Sequence, residues 1–296
     1  MRRVSWESEN GRTITFEGAG PADSPGPFYF VELESSLGGT PETARAPRQD
    51  GQTTYYTALD PLHIELEGWM WVTGDRFRPA LAEYDRQRAM LHQAFAPNRF
   101  GILTYYKEDG AVRVRCRPVT TPVLGDPIGT YCPIGISFTA DTPYWENAVE
   151  AVACIGIILR LMRFPWAPVY GPLGVYNRRA GIENTSEELI YPTVEVYTTG
   201  QKVTLTNQTA GKFVTIEHAI AENQKLVVNL ADVSAYLYTL NEAGDYADPE
   251  DVSHWMSLDS EPWGLVPGKN QIVISNNIPE DTPIAYIKYR IPSLGI

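Results

Sequence analysis

One stretch of the chain, residues 62–106, changes its hydrophobic period twice and thereby restricts the folds open to it. Over residues 62–72 apolar side chains occupy alternate positions, which is typical of a half-buried strand, and Gly68 predicts a bulge there. The spacing then becomes helical, which predicts one apolar helix face made of Phe77, Leu81, Tyr84, Leu91 and Phe95. An aromatic and β-branched run over residues 100–106 follows. The sequence therefore predicts a strand, a packed helix and a second strand.

The predicted helix has recognisable ends and a charged outer face. It begins at Asp75 with Pro79 in its first turn, and Pro97 ends it. Its other face carries mixed charged and polar residues, namely Arg78, Glu83, Asp85, Arg86, Gln87 and Arg88. Pairs of this kind on one helix are worth only about 0.2–0.5 kcal/mol each, so we interpret the face as solvated or in contact with another subunit rather than catalytic.

The composition favours a mainly β (α+β) chain of two domains. The 296 residues include 24 glycines and 23 prolines, and only one long amphipathic helix is evident. Residues 1–147 are predicted to form a β-sheet domain with the one packed helix, and residues 148–176 a proline-rich linker. From residue 182 onward short alternating runs recur every 8 to 12 residues, so residues 177–296 are predicted to form a β-sandwich.

Two features near the N-terminus differ in character. Asn10-Gly11, between the alternating runs 4–6 and 13–16, predicts a β-hairpin. The segment 37–53 shows no period and is predicted to be a long loop that serves as an arm against a neighbouring subunit. The arm residues chosen for that contact are Thr40, Arg45, Arg48 and Gln52.

Charge and cysteine content exclude several classes of protein. A formal net charge of −12 argues against stable nucleic-acid binding, because such binding requires neutralisation of the phosphates. Cys116, Cys132 and Cys154 form no metal-ligand motif and are interpreted as buried thiols in a reducing compartment. The most apolar run, residues 149–162, includes Glu150 and is shorter than the roughly 20 residues of a membrane helix, so no membrane insertion is predicted.

No catalytic or cofactor-binding constellation is evident. The four histidines lie in no metal or triad motif, and the carboxylates of the C-terminal half fall in turns, where they cap and solvate. We therefore predict no enzyme, no metal and no cofactor, and a cell-wall hydrolase is the weakest alternative. Trp255 and Trp263 could stack on a sugar ring or fill the sandwich interior, and core packing is the favoured interpretation for both.

The order of motifs resembles the distal tail protein family of long-tailed bacteriophages. In the first domain the matching motifs are Ile64-Glu65-Leu66-Glu67-Gly68-Trp69, Arg86-Gln87-Arg88-Ala89-Met90-Leu91, Gly101-Ile102-Leu103-Thr104-Tyr105 and Val112-Arg113-Val114-Arg115-Cys116. In the second they are Ile182-Glu183-Asn184, Pro192-Thr193-Val194-Glu195-Val196, Leu205-Thr206-Asn207-Gln208-Thr209-Ala210-Gly211 and Leu265-Val266-Pro267-Gly268-Lys269-Asn270-Gln271-Ile272. Each motif is common alone, and it is their joint order and spacing that are specific.

The resemblance implies a structural virion protein at the distal end of the tail, synthesised in the host bacterial cytoplasm. It implies a homohexameric ring that forms the hub of the tail-tip baseplate, with a galectin-like sandwich projecting outward. The expected partners are the tail tube protein, the tail-associated hub and the tail fibre or receptor-binding proteins. An acidic ring would also let DNA pass without adhering to it. The alternative function is that of a carbohydrate-binding module in contact with host cell-wall polysaccharide.

Overall fold

The chain folds into two compact units, residues 1–149 with 293–296 and residues 150–292, in a computed structural model. The structure describes residues 2–23, 26–72, 74–75, 78–156, 158–160, 174–176, 179–278 and 283–296. Within these ranges no helix is long and apolar enough to cross a membrane. The predicted fold class, mainly β with one helix in the first domain and a sandwich in the second, is confirmed.

The first unit contains thirteen strands and the helix in the described ranges. They are β1 (Arg3–Ser8), β2 (Thr13–Glu17), β3 (Phe28–Ser36), β4 (Gly39–Ala44), β5 (Thr53–Leu59), β6 (Leu62–Trp71), β7 (Gly74–Asp75), β8 (Arg78–Pro79), α1 (Leu81–Ala94), β9 (Gly101–Lys107), β10 (Gly110–Pro118), β11 (Val123–Leu124), β12 (Tyr131–Ala140) and β13 (Trp145–Asn147). The main sheet has the order β2-β1-β9-β10-β12-β6-β3, with β11 and β13 attached. The predicted hairpin is confirmed as β1–β2, and Gly11 adopts the positive φ of 74° that its turn requires.

This sheet folds over a core in which aromatic rings from distant strands meet. Trp6 on β1 is fully buried, and its ring centroid lies 5.2 Å from that of Phe138 on β12 and 5.5 Å from that of Phe95. The Trp6 indole N–H donates to the carbonyl oxygen of Ala94 at 3.0 Å, which ties the end of α1 to the sheet. The helix therefore closes the core.

The bulge predicted at Gly68 does not occur on β6. Burial alternates without interruption along β6, and the irregularity lies on the partner strand β3, between Phe30 and Glu32. Gly68 is required for a different reason. A Cβ there would lie 2.7 Å from the Tyr29 carbonyl oxygen and 2.8 Å from the Phe16 ring, so only glycine lets the aromatic core approach β6.

The helix begins later than predicted. Asp75 and Pro79 belong to the short pair β7–β8, and α1 starts at Leu81, whose side chain is 74% exposed rather than part of the apolar face. Phe77 lies outside the described residues. Gln87 was assigned to the charged face, yet it is buried together with Leu91. The other charged positions from Glu83 onward remain at least partly exposed, and the helix ends at Ala94, before Pro97.

The second unit is a sandwich of two antiparallel sheets. Its strands are β14 (Ala151–Ile155), β15 (Ile158–Arg160), β16 (Gly174–Tyr176), β17 (Arg179–Asn184), β18 (Thr193–Tyr197), β19 (Val203–Asn207), β20 (Lys212–Ile216), β21 (Gln224–Asn229), β22 (Ser234–Leu240), β23 (Tyr246–Asp251), β24 (Gly268–Asn276) and β25 (Ile284–Tyr289). One sheet has the order β14-β25-β18-β21-β22-β23 and the other β17-β24-β19-β20. Alternate residues of both sheets, such as Val194, Val196, Leu205 and Ile274, point into one core.

Several residues assigned to the linker belong to this sandwich. The strand β14 pairs with β25, so the sandwich begins at residue 150 and not at 177. The proline-rich residues 161–173 lie outside the described residues. At the other end the last strand, β26 (Pro292–Ser293), adds to the sheet of the first unit. The three cysteines are free thiols; Cys116 and Cys132 are buried, whereas Cys154 on β14 is only half-buried, against expectation.

Candidate functional site

The segment predicted to be a long loop is a β-hairpin with one register shift, between Glu42 and Thr43. Strands β4 and β5 pair antiparallel from Gly39 opposite Leu59 to Ala44 opposite Thr53. We call residues 39–59 the arm hairpin. Its residues are exposed on both faces of both strands, apart from a half-buried Ala58. The segment has no hydrophobic period because neither face of the hairpin packs on a core of its own.

The tip of the arm hairpin is ordered by local hydrogen bonds. The Arg45 guanidinium donates to the carbonyl oxygen of Gln49 at 2.7 Å, and the Gln49 side chain donates to Thr53 Oγ1 at 2.9 Å and accepts from the Ala46 N–H at 2.9 Å. Arg48 adopts a positive φ of 68°, which is rare for a residue other than glycine. The tip therefore has a defined shape.

The four arm residues chosen from sequence all lie on this hairpin. Thr40 lies at its base, where its hydroxyl donates to Asp60 Oδ1 at 2.9 Å, and Arg45 and Arg48 lie at the tip with Gln52 just beyond. Sequence reasoning missed the largest exposed surfaces. Tyr55 is 73% exposed and Tyr56 64% exposed. Two adjacent tyrosines in a polar segment are the signal that could have found them.

A small apolar cavity of about 270 Å³ lies beside α1, lined by Gly26, Pro27, Trp71, Glu83, Arg86, Gln87 and Met90. Gln87 is 7% exposed, and its side-chain N–H donates to Glu83 Oε1 at 2.8 Å. Its Oε1 is buried without a hydrogen-bond partner. A buried carbonyl oxygen in this state costs roughly 1–3 kcal/mol, so the cavity wall holds an unsatisfied acceptor.

Trp263 belongs to the sandwich core and is not a surface contact. It is 1% exposed, and its indole N–H donates to the carbonyl oxygen of Leu205 at 3.2 Å. Asn207, fully buried beside it, donates to the carbonyl oxygen of Gly264 at 3.0 Å. A sugar cannot reach this ring, because the indole fills the space between the sheets. The structure therefore agrees with the favoured interpretation, core packing, for Trp263 and excludes the alternative of a ligand contact.

Trp255 is held in place at its backbone and exposed at its side chain. It ends a short 3-10 helix, Ser253–Trp255, whose neighbour Val252 is fully buried. Its N–H donates to the Val252 carbonyl oxygen at 3.0 Å, and its carbonyl oxygen accepts from the Glu217 N–H at 2.9 Å. The indole is nevertheless 46% exposed. Core packing, the favoured interpretation from sequence, is therefore wrong for Trp255.

An open cleft of about 580 Å³ surrounds this indole, and we call it the Trp255 cleft. Its lining residues are Gln201, Lys202, Glu217, His218, Ala219, Trp255 and Asn277. The imidazole rings of His218 and His254 lie 5.6 Å and 5.2 Å from the indole, measured between centroids. Lys202 Nζ lies 3.0 Å from Glu217 Oε1. Apart from Ala219, every side chain of the lining can donate or accept a hydrogen bond, the indole only through its N–H.

A second aromatic surface, on the six-stranded sheet, is built differently. Tyr197 meets Tyr246 and Tyr286 edge to face, with centroids 5.9 Å and 5.7 Å apart. Burial, followed by the nearby Glu195 carboxylate, raises the pKa of Tyr197. Lys288 Nζ lies 2.7 Å from Glu195 Oε1. These rings pack against one another edge to face, unlike the indole of Trp255. No group of residues suited to holding a metal ion occurs within the described ranges.

Comparison with known proteins identifies the second unit. Residues 185–290 match the family model described as siphovirus-type tail component, C-terminal domain. The sandwich belongs to the Dit family of tail components. This match confirms the resemblance to distal tail proteins that was evident in the sequence. The Trp255 cleft lies entirely within the second unit, and all of its lining residues fall inside the range matched by the Dit model.

The likeness of fold extends over the whole chain. The structure of the Dit protein (gp 19.1) of phage SPP1, described as a paradigm of hub adsorption apparatus in phages infecting Gram-positive bacteria, matches with a TM-score of 0.64 at 13% identity. The alignment covers 98% of this chain and 99% of that one. A chain of the phage P2 baseplate in its activated conformation with Ca matches with a TM-score of 0.55 at 12% identity, covering 100% of both chains. No curated protein sequence matches this chain significantly.

Proposed function

We propose that this protein is a structural hub of a phage tail-tip baseplate, in which six copies form a ring. In this proposal the ring joins the tail tube protein to the tail-tip and receptor-binding proteins at the distal end of the tail. The Dit-family sandwich and the full-length likeness to the SPP1 Dit fold support this assignment. The protein's role is carried by surfaces rather than by a catalytic site.

The observation that carries the ring proposal is the arm hairpin. A two-stranded hairpin is marginally stable alone in water, because it has no second layer to bury its side chains against. Here both faces are exposed, and Tyr55 and Tyr56 present large aromatic surfaces to solvent. Such an element gains its packing from another molecule. Tyrosines of this kind are common anchors in protein interfaces.

Head-to-tail contact accounts for a ring. When each copy places one element on a different surface of the next, the interface is heterologous, and it closes into a ring if the rotation divides the circle. The arm hairpin is one half of such a contact. The formal charge of −12 per chain gives the ring an acidic character, which disfavours adhesion of the DNA backbone during passage.

The test is the mass of the purified protein by light scattering, with negative-stain imaging of the oligomer. We expect the wild type to give particles of about six times the 33.0 kDa chain mass. The variant Tyr55→Ser/Tyr56→Ser removes the exposed rings without touching a core, so it should assemble less while keeping the unfolding transitions of the wild type. Tyr191→Ser is the matched control, because Tyr191 is 48% exposed on the other unit.

Two results would contradict the proposal. A wild-type protein that remains monomeric at high concentration argues against self-assembly into a ring. A double tyrosine variant that forms rings as stable as those of the wild type and of Tyr191→Ser removes the arm hairpin from the interface and leaves the ring to another surface.

A further inference from the structure

We propose that the Trp255 cleft is a binding site for a neutral saccharide, with a pyranose ring stacked on the indole of Trp255. This inference concerns the Dit-family sandwich alone and does not rest on the ring or on the arm hairpin. A ring-forming protein without the site, or a monomer with it, are both physically consistent outcomes.

The first argument is that the indole is exposed although its backbone is held in place. Main-chain hydrogen bonds to Val252 and Glu217 hold Trp255, and the hydroxyl of Ser253 lies within hydrogen-bonding distance of the Ala235 main chain. The Asp251 carboxylate accepts from the Ser253 N–H at 2.9 Å. These bonds hold the backbone of Trp255 in place although the residue is 46% exposed. It therefore loses little further conformational freedom when a ligand covers it. The platform is preorganised.

The second argument is the ring of polar groups around the indole. Gln201 and Asn277 bear planar amides, and the Gln201 main-chain N–H donates to Asn277 Oδ1 at 3.0 Å, which fixes that side chain. Two imidazoles flank the indole. A pyranose has apolar C–H faces and hydroxyls around its edge, so an aromatic face bordered by short donors and acceptors matches it.

The third argument is charge. Lys202 and Glu217 are the lysine and the carboxylate in the lining, and they pair at 3.0 Å, so their charges compensate. A phosphate-rich or uronic-acid polymer meets no uncompensated lysine here, and the net charge of −12 repels it at longer range. The cleft therefore favours a neutral glycan. Its volume of about 580 Å³ lies within the range of small-ligand sites, and its open side leaves room for the rest of a glycan chain.

The experiment uses the full-length protein on an array of bacterial surface glycans that includes neutral and phosphorylated members. The strongest neutral oligosaccharide is then titrated by calorimetry. We expect Trp255→Ala to weaken that binding by at least tenfold and Gln201→Ala to weaken it by a smaller factor with the indole intact. Tyr191→Ala is the matched control, because Tyr191 is 48% exposed in the same unit and is not in the lining of the cleft, and it should bind as the wild type does.

Each other outcome overturns the proposal. Binding confined to phosphorylated glycans refutes the neutral class. Neutral binding that survives Trp255→Ala moves the site elsewhere on the chain. Failure to bind any arrayed glycan leaves the exposed indole as a contact for another protein. The control is the thermal unfolding temperature of Trp255→Ala. A value equal to that of the wild type excludes misfolding as the cause of a loss of glycan binding.

Discussion

Two tryptophans eight residues apart behave in opposite ways in the sandwich that matches the Dit family model. Trp263 is 1% exposed and hydrogen-bonded to the main chain of β19, whereas Trp255 is 46% exposed with its backbone anchored. Both belong to the connection between β23 and β24. The contrast shows that the position of the main chain around each residue, and not the residue type, determines the burial of its indole. A buried indole stabilises the fold, and an exposed one is available to a ligand.

The largest expected effect separates the two indoles directly. Trp263→Ala should destabilise the second unit by about 3–5 kcal/mol, because it removes the core side chain and leaves a cavity between the sheets. Trp255→Ala should change stability by less than about 1 kcal/mol, since its ring is half exposed. Denaturant unfolding of both variants measures the difference. Equal losses in the two would show that Trp255 is a structural residue and would end the contrast.

A smaller loss of stability is expected at Asn207, whose hydrogen bond to Gly264 holds the main chain next to Trp263. Asn207 is fully buried; its side-chain N–H donates to the Gly264 carbonyl oxygen, and its Oδ1 accepts from the N–H groups of Thr209 and Ala210 at 3.1 Å and 3.2 Å. Asn207→Ala should cost about 1–3 kcal/mol, because it leaves the buried carbonyl oxygen of Gly264 without this hydrogen bond. Asn223→Ala, at an exposed position, is the control for denaturant unfolding. A loss at Asn207 no greater than at Asn223 would remove this network from the account of Trp263.

The smallest expected effect is a change in the environment of Trp255 at low pH, where the Asp251 carboxylate becomes protonated. Hydrogen bonds from the Ser253 hydroxyl and then from its N–H lower the pKa of Asp251 below its ordinary value of 3.8. Because the folded-state pKa is lowered, the stabilisation is complete above pH 3.8 and is lost as the pH falls through the folded-state value. The Trp255 environment, followed by fluorescence, should therefore loosen in that range in the wild type.

The variant Asp251→Asn should lack this acid-dependent step. The difference curve between the two proteins isolates the contribution of Asp251 from the other carboxylates. Identical titration curves would show that the carboxylate does not contribute to the anchor of Trp255.

Much of the fold was predictable because local patterns record burial. Strict alternation located β6, β18 and β19, and Asn10-Gly11 located the first hairpin, since each signal arises within a few residues. The joint order of motifs also identified the family. These features depend on short-range sterics and on which face of a strand is apolar.

Other features have no local signal. Leu81 resembles a core residue of the helix, yet it is 74% exposed because Asp75 and Pro79 belong to β7 and β8 and the helix starts after them. Gln87 resembles a surface residue, yet it lies on the buried face of that helix. The arm hairpin escaped detection because hydrophobic periodicity reports packing on a core, and this hairpin packs on none among the described residues.

The sequence by itself determined a mainly β chain of two domains, the positions of its regular strands and its membership among phage tail components. It did not show which of Trp255 and Trp263 is buried, or whether residues 39–59 form a loop or a hairpin. Those outcomes depend on contacts between residues far apart in the chain, such as the hydrogen bond from Trp263 to Leu205 and the pairing of β4 with β5. Only the tertiary structure determines which surfaces are buried within this chain and which are left for other molecules.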